Sequence, residues 1–144
     1  MKILIIGAKG MLGQELVKVF SDQTVASWDR QEGDITNQEL IQVKIRALEP
    51  DLLINAAAYN EVDRAEQEPE LARLINGQAV GYLAAAAAEL DIPMVHYSTD
   101  YVFAGDRAEG YREDDQPAPD SAYAQSKHLG EIELLKHTPK SLKV

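Results

Sequence analysis

A glycine-rich turn follows the first apolar segment of the chain, with Gly7, Gly10 and Gly13 spaced as G-x-x-G-x-x-G ahead of a predicted helix. Glycines in such a turn let the backbone approach a dinucleotide pyrophosphate, and the first amides of the helix supply the positive end that holds it. This spacing departs from the G-x-G-x-x-G fingerprint and alone also fits an ordinary tight turn. Asp29 lies 22 residues after Gly7, where an acid binds the adenosine ribose. Together the two features predict a dinucleotide-binding site.

Two cations near Asp29 bear on the choice of dinucleotide. Asp29 alone would accept hydrogen bonds from the unmodified ribose of NADH, whereas Arg30 and Lys9 could pair with the 2′-phosphate of NADPH. Each cation also fits a solvated surface charge. The sequence favours NADPH as the cofactor and leaves NADH possible.

Tyr123 and Lys127 are four residues apart in a predicted helix and therefore share one of its faces. An ammonium group beside a phenol lowers the phenol pKa, and such a tyrosine can protonate the alkoxide formed when hydride reaches a ketone. The pair also fits an ordinary helix surface. Ser98 and Thr99 follow the fourth predicted strand, and open parallel sheets bind ligands beyond the carboxyl ends of their strands. Their hydroxyls are candidates to hold a substrate oxygen, or to cap a turn.

Alternating strands and helices must position these residues. Apolar runs predict strands over residues 2–6, 24–28, 52–54 and 93–97, with a fifth strand over residues 142–144. Helices are predicted from the glycine turn, from a capping box of Thr36 and Glu39, over residues 71–90, and over residues 121–137. The order βαβαβαβα predicts one doubly wound α/β domain over residues 1–144, a Rossmann-like parallel sheet with helices on both faces.

The composition excludes several other classes of function. The chain has 144 residues, no cysteine and a formal net charge of −10, which excludes thiolate zinc sites and cysteine nucleophiles and argues against nucleic-acid binding. Its apolar start is too short to span a membrane, so a cytoplasmic protein is expected. No metal site is predicted, because no acid or second histidine is expected at ligand spacing from any of the three histidines, His96, His128 and His137.

Several segments in combination resemble the extended short-chain dehydrogenase/reductases. Within that superfamily the chain is most similar to the dTDP-4-dehydrorhamnose reductases, over essentially its whole length. The resemblance implies NADPH-dependent reduction of the 4-keto group of a dTDP-linked deoxy sugar in dTDP-L-rhamnose synthesis. The segments that carry it are the glycine turn, Asn55-Ala-Ala-Ala-Tyr59 with Val62-Asp-Arg-Ala-Glu66, Ser98-Thr-Asp-Tyr-Val-Phe103, and Tyr123 to Lys127 with Gly130-Glu131.

The same resemblance implies a role for each matching residue. Tyr123 would protonate the keto oxygen, Thr99 would hold that oxygen, and Lys127 would lower the tyrosine pKa and bind the nicotinamide ribose. Ser98 joins Thr99 and Tyr123 as a substrate-binding residue. The cofactor-binding residues would be Tyr123 and Lys127 together with Gly7, Lys9, Gly10, Met11, Leu12, Gly13, Asp29, Arg30, Asp34, Ile35, Ala56, Ala57, Ala58 and Tyr59.

Asn76, in the long predicted helix, resembles the helical asparagine of related reductases. It also fits a local irregularity of the helix before Gly77. The sequence leaves both interpretations open.

Family members continue for about as long again, with further strands and a smaller C-terminal domain that holds most nucleotide-sugar contacts. Relative to them the fold is C-terminally incomplete. We therefore expect the chain to bind the cofactor but to show no measurable reductase activity alone. A homodimer, or other self-association through uncovered apolar surface, is also expected.

Two other functions fit the same residues. The regulatory subunit of methionine adenosyltransferase resembles these reductases and binds the cofactor while modulating another enzyme. A nucleotide-sugar epimerase or dehydratase shares the glycine turn and the Tyr/Lys pair, and Asp100 beside Thr99 matches an acid that dehydratases use. The run from Ser98 to Phe103 favours the reductase.

Overall fold

Parallel strands form the central sheet of the computed structural model, which describes residues 1–137 and 142–143. Their spatial order is β2-β1-β3-β4-β5. The strands are β1 (Lys2–Ile6), β2 (Thr24–Trp28), β3 (Leu52–Asn55), β4 (Met94–His96) and β5 (Leu142–Lys143). The helices are α1 (Met11–Val19), α2 (Gln38–Leu48), α3 (Val62–Ala65), α4 (Pro69–Arg73), α5 (Ala79–Glu89) and α6 (Ala122–His137). The predicted doubly wound fold is confirmed, and β5 begins at the predicted residue, although Val144 lies outside the described residues.

Both faces of the sheet are buried, because successive residues of a strand point to opposite sides. Leu4 and Ile6 of β1 pack into the larger core, which also contains side chains of α2, α5 and α6. Ile3 and Ile5 pack on the opposite face, where Leu16 of α1 covers them. This two-sided burial explains why the strand reads as a continuous apolar run rather than as an alternating pattern.

The predicted capping box at the start of α2 is wrong. The side chain of Asn37 caps the helix instead, accepting the backbone N–H of Leu40 at 3.1 Å. The Thr36 hydroxyl is engaged elsewhere, since it donates to Asp34 Oδ1 at 2.6 Å. Helix α2 ends at Leu48, and Glu49 after it adopts a left-handed conformation (φ 50°) before Pro50.

The single long helix predicted over residues 71–90 is interrupted. A π-helical turn, Leu74–Gln78, separates α4 from α5. Two glycines accommodate this wider turn against α6: a Cβ on Gly77 would lie 2.5 Å from Leu129 Cδ2, and one on Gly130 would collide with the Asn76 carbonyl oxygen. The irregularity before Gly77 is therefore present, and it lies where the helix packs closely against α6.

The parallel arrangement places the carboxyl ends of β1 to β4 at one edge of the sheet. The loops that leave this edge carry the glycine turn, Asp29, residues 55–59 and Ser98 with Thr99. The candidate site must therefore be assembled from these loops and from the start of α6.

No helix in residues 1–137 has both the length and the apolar character needed to cross a bilayer.

Candidate functional site

The glycine turn requires glycine for two separate reasons. Gly7 has φ +79°, and a Cβ there would lie 2.6 Å from the Ala57 amide nitrogen in the neighbouring loop. A Cβ on Gly13 would collide with the Gly7 carbonyl oxygen, so this residue allows α1 to close on the end of β1. Among the described residues, no side chain caps α1 at Gly10. The turn therefore leaves room for a ligand against the backbone at the helix N-terminus.

A cavity of about 590 Å³ opens beside this turn, at the carboxyl ends of β1, β2 and β3. It brings together many of the predicted cofactor residues from the three loops that follow β1, β2 and β3. Those lining it are Gly7, Asp29, Arg30, Asp34, Ile35, Ala57, Ala58 and Tyr59. The cavity has the position that an open α/β sheet gives to a nucleotide.

Other predicted cofactor residues lie around the cavity rather than in its described lining. Lys9 lines a separate, shallower cavity with Asp29 and Glu32. Met11 and Leu12, in the first turn of α1, are exposed. Gly10, Gly13 and Ala56 contribute to the turn and to the backbone beside it.

The sequence missed part of the cavity wall. Leu71 and Ile75 line it, although their spacing predicted only a helix over residues 71–90. Apolar spacing alone does not distinguish a helix that faces the core from one that walls a cavity. The other lining residues not predicted are Ile6, Gly33, Thr36 and Leu74.

Cations and acids alternate at the rim of the cavity. Lys9 Nζ lies 3.8 Å from Asp29 and 4.0 Å from Glu32, and Arg30 Nε lies 3.6 Å from Asp34. Hydrogen bonds from Thr36 and the charge of Arg30 lower the pKa of Asp34. Exposed ion pairs of this kind contribute little to the free energy of folding. Lys9 or Arg30 could therefore leave its present partner and bind a phosphate.

Tyr123, in the first turn of α6, comes together with Thr99. The tyrosine is buried, and the Tyr101 ring packs edge-on against it with centroids 6.0 Å apart. Burial raises the pKa of Tyr123, although a hydrogen bond with Thr99 partly lowers it. This direction is opposite to the one expected from the sequence, because desolvation of the phenolate outweighs the hydrogen bond.

Lys127 lies one turn along α6 from Tyr123 and is 3% exposed. Its Nζ donates to the Tyr97 carbonyl oxygen at 2.5 Å, at the end of β4. Burial lowers the pKa of Lys127 to about 8, and the charge of Glu131 opposes part of this shift. The structure thus directs the ammonium group to the carboxyl end of β4, whereas the groups that shift the Tyr123 pKa are Thr99, Tyr101 and Asp100.

Ser98 and Thr99 line a second cavity, of about 550 Å³. The Ser98 hydroxyl donates to Glu131 Oε1 at 2.5 Å, and Glu131 Oε2 lies 3.5 Å from His128 Nδ1. The sequence analysis overlooked this acid three residues after His128. In the described part of the chain no cluster of three or more His, Asp or Glu side chains could bind a metal ion.

His96 is buried at the end of β4. Its Nδ1 lies 3.1 Å from Asn55 Nδ2. Burial, followed by the charge of Lys127, lowers the pKa of His96 to about 3. The ring is therefore neutral at physiological pH and acts as a packing group behind the site.

Asn76 joins the cofactor-side loop to the helix that carries Tyr123 and Lys127. Its Oδ1 accepts the Tyr59 N–H at 2.7 Å, and its Nδ2 donates to the Tyr59 carbonyl at 2.9 Å and to Ser126 Oγ at 2.9 Å. The asparagine is 1% exposed and lies in the π-helical turn. The helix irregularity is thus present at Asn76, and its hydrogen bonds tie the Tyr59 backbone to Ser126 of α6.

Comparison with known proteins decides the family. The model of the RmlD substrate binding domain family matches residues 1–144. The chain belongs to this family. A family match over the whole chain, with the observed fold, confirms the resemblance to the extended short-chain dehydrogenase/reductases inferred from the motifs.

Relatives of this RmlD-family chain carry one recurrent name. A dTDP-4-dehydrorhamnose reductase from Burkholderia thailandensis is 43% identical over 92% of this chain and 45% of its own length. A Bacillus anthracis structure of that enzyme in complex with NADP is 36% identical, with a TM-score of 0.95 over 99% of this chain and 51% of that one. A Clostridium acetobutylicum structure is 39% identical, with a TM-score of 0.96 over 99% and 52%. The chain spans about half the length of these relatives.

Replacing Asn76 with Ala is expected to destabilise the fold by about 2–3 kcal/mol, because the half-buried Tyr59 amide and carbonyl groups lose their partner. NADPH binding should weaken as well, since Tyr59 lines the cavity. Urea unfolding followed by circular dichroism measures the first effect. Asn60→Ala, in the same loop but exposed, is the matched control. Equal midpoints for the two variants would contradict the role given to Asn76.

Proposed function

We propose that this chain binds NADPH, with NADH as a weaker alternative, and carries the acid for reduction of the 4-keto group of a dTDP-linked deoxy sugar. The observation that carries the proposal is the position of Thr99, Tyr123 and Lys127 at the sheet edge that also holds the glycine turn and its cavity. The name shared by the relatives, and the NADP bound in one of their structures, support it. The cytoplasm, which contains NADPH and nucleotide sugars, is the proposed compartment.

The residues present fit a dinucleotide. Gly7 keeps the backbone clear where a Cβ would meet Ala57, and the uncapped start of α1 offers amides to the pyrophosphate. Asp29 and Arg30 would bind the adenosine ribose and its 2′-phosphate. Lys127 would bind the nicotinamide ribose. When bound, NADPH supplies the hydride for the carbonyl carbon.

The protein's own contribution is to hold the keto oxygen and to protonate it. Thr99 donates a hydrogen bond to that oxygen in this proposal, beside the Tyr123 phenol. The raised pKa of Tyr123 keeps the phenol protonated before reaction, which is the form that an acid requires. As the proton leaves, the ammonium group of Lys127, one helical turn from Tyr123, would stabilise the phenolate.

Cofactor binding is the direct test of the proposal on this chain. Trp28, the single tryptophan, packs beside Gly33 in the cavity wall and provides a fluorescence signal. Saturable binding of NADPH, followed by Trp28 fluorescence and by calorimetry, is the expected result. A folded sample that binds neither NADPH nor NADH would refute the proposed function.

Replacing Arg30 with Ala is expected to weaken NADPH binding by about 1–3 kcal/mol, because a charge-assisted contact with the 2′-phosphate is lost. NADH binding should change much less. Calorimetric titration with both cofactors measures the difference. Arg46→Ala removes another exposed arginine, on α2, where its partner is Glu89, and serves as the control. Equal losses for NADPH and NADH would show that Arg30 does not contact the phosphate.

Self-association belongs to the proposal because apolar side chains remain exposed beside the second cavity. Leu135 is 61% exposed and Ile132 is 41% exposed on α6. We expect a concentration-dependent dimer or larger species in sedimentation velocity, and less of it after Leu135→Gln. A monomer at all concentrations would contradict this expectation and leave the cofactor proposal unaffected.

A further inference from the structure

A buried carboxylate lies one turn beyond Lys127 and is not used in the proposed chemistry. Glu131 is 5% exposed, and a carboxylate so deeply buried requires partners to offset its lost hydration. Its Oε1 accepts the hydrogen bond of Ser98 Oγ at 2.5 Å, and its Oε2 lies 3.5 Å from His128 Nδ1. The acid therefore connects α6 to the segment that carries Thr99.

Two consecutive residues after β4 bind two side chains that are one helical turn apart. The Tyr97 carbonyl accepts from Lys127 Nζ, and the Ser98 hydroxyl donates to Glu131. A helix places residues i and i+4 on the same face, so Lys127 and Glu131 reach the same short segment together. The paired contacts fix both the rotation of α6 and the position of Thr99, the next residue.

We propose that Glu131 is a positioning residue of the reductase site: its carboxylate orients Ser98 and Thr99 and places a negative charge one helical turn from Lys127 on the buried face of α6. The assignment to a reductase site rests on the proposed function. The contacts of Glu131 with Ser98 and its spacing from Lys127 are properties of this chain.

The charges around Lys127 explain why an acid is needed there. Burial of Lys127 disfavours its ammonium form and lowers its pKa, and the charge of Glu131 opposes this shift. The charge of Lys127 in turn lowers the pKa of His96 in β4. Other charged groups around α6 engage different partners: Asp100 acts on Tyr123, Glu66 accepts the Ala122 N–H, and Glu133 pairs with Lys136. His128 faces Glu131 itself.

The test is an NMR titration of the Lys127 ammonium group in the 144-residue chain, without cofactor or substrate. Glu131→Gln keeps the shape and an acceptor for Ser98 but removes the charge, so the pKa of Lys127 should fall by at least about one pH unit. Glu133→Gln removes a charge from the same helix, away from Ser98, and should leave that pKa unchanged. A folded Glu131→Gln protein with the parental Lys127 pKa would overturn the proposal.

A second variant covers the case in which Glu131→Gln does not fold. Glu131→Asp keeps the charge and withdraws the carboxylate by one methylene from Ser98. We then expect a nearly parental pKa for Lys127 but at least tenfold faster hydrogen exchange at the amides of Ser98 and Thr99. Parental exchange rates would overturn the proposal.

The outcome is separable from that of the proposed function. If the chain fails to bind NADPH or NADH while Glu131→Gln still shifts the Lys127 pKa, the reductase proposal fails and the positioning of Lys127 by Glu131 stands. If the chain binds NADPH but the Lys127 pKa does not respond, the reverse holds.

Discussion

Replacing Tyr123 with Phe is expected to lower kcat for ketone reduction by about 10²–10⁴-fold, while the dissociation constant for NADPH stays nearly unchanged. The phenol is required only when the keto oxygen becomes an alkoxide and needs a proton. Tyr123 is buried beside Thr99, and phenylalanine keeps the aromatic ring that fills this position. The loss should therefore fall on the chemical step rather than on binding or on folding.

Turnover is best measured in a protein that joins this chain, after residue 144, to the second half of the Burkholderia thailandensis relative. The substrate is a dTDP-4-keto sugar, and the readout is the absorbance of NADPH. Tyr82→Phe removes a hydroxyl from α5, outside the site, and is the matched control. Undiminished kcat in the Tyr123→Phe protein would remove the tyrosine from the mechanism and favour a binding role without catalysis.

The kcat/KM of the same joined protein is expected to fall by about tenfold per pH unit as the pH rises above about 8, because Lys127 then loses its proton. A neutral amine can neither stabilise the Tyr123 phenolate nor donate as strongly to the nicotinamide ribose. The Tyr123 phenol, whose pKa is raised, remains protonated across this range. A pH profile that stays level from pH 7 to 9 would contradict the assignment of Lys127.

The free energy of unfolding should change with pH in the opposite direction to kcat/KM. The pKa of Lys127 is about 8 in the folded chain, against an ordinary lysine value of 10.5, so between these values the unfolded chain binds more protons than the folded one. The free energy of unfolding should therefore rise with pH across that window. Lys127→Met removes this rise, and exposed Lys18→Met retains it. Urea midpoints measured from pH 7 to 10.5 test the sign, and parallel curves for the parent and Lys127→Met would refute it.

The sequence by itself determined the order of strands and helices and the residues of the glycine turn. These features depend on neighbours in the chain: apolar runs bury β1 on both faces, and Gly7 and Gly13 are needed where a Cβ would meet backbone. The four-residue spacing of Tyr123 and Lys127 placed them on one face of α6 for the same local reason. Local patterns survive in the fold because each element imposes its own period on the chain.

The partners of the polar side chains were decided only by the tertiary structure. Lys127 bonds to a carbonyl 30 positions away, Glu131 to a hydroxyl 33 positions away, and Asn76 to Ser126 50 positions away. No periodicity encodes such pairs, because they depend on how α6 and the π-helical turn approach the sheet edge. Burial at that edge also reversed the expected shift of the Tyr123 pKa, since desolvation is a property of the assembled fold and not of residue spacing.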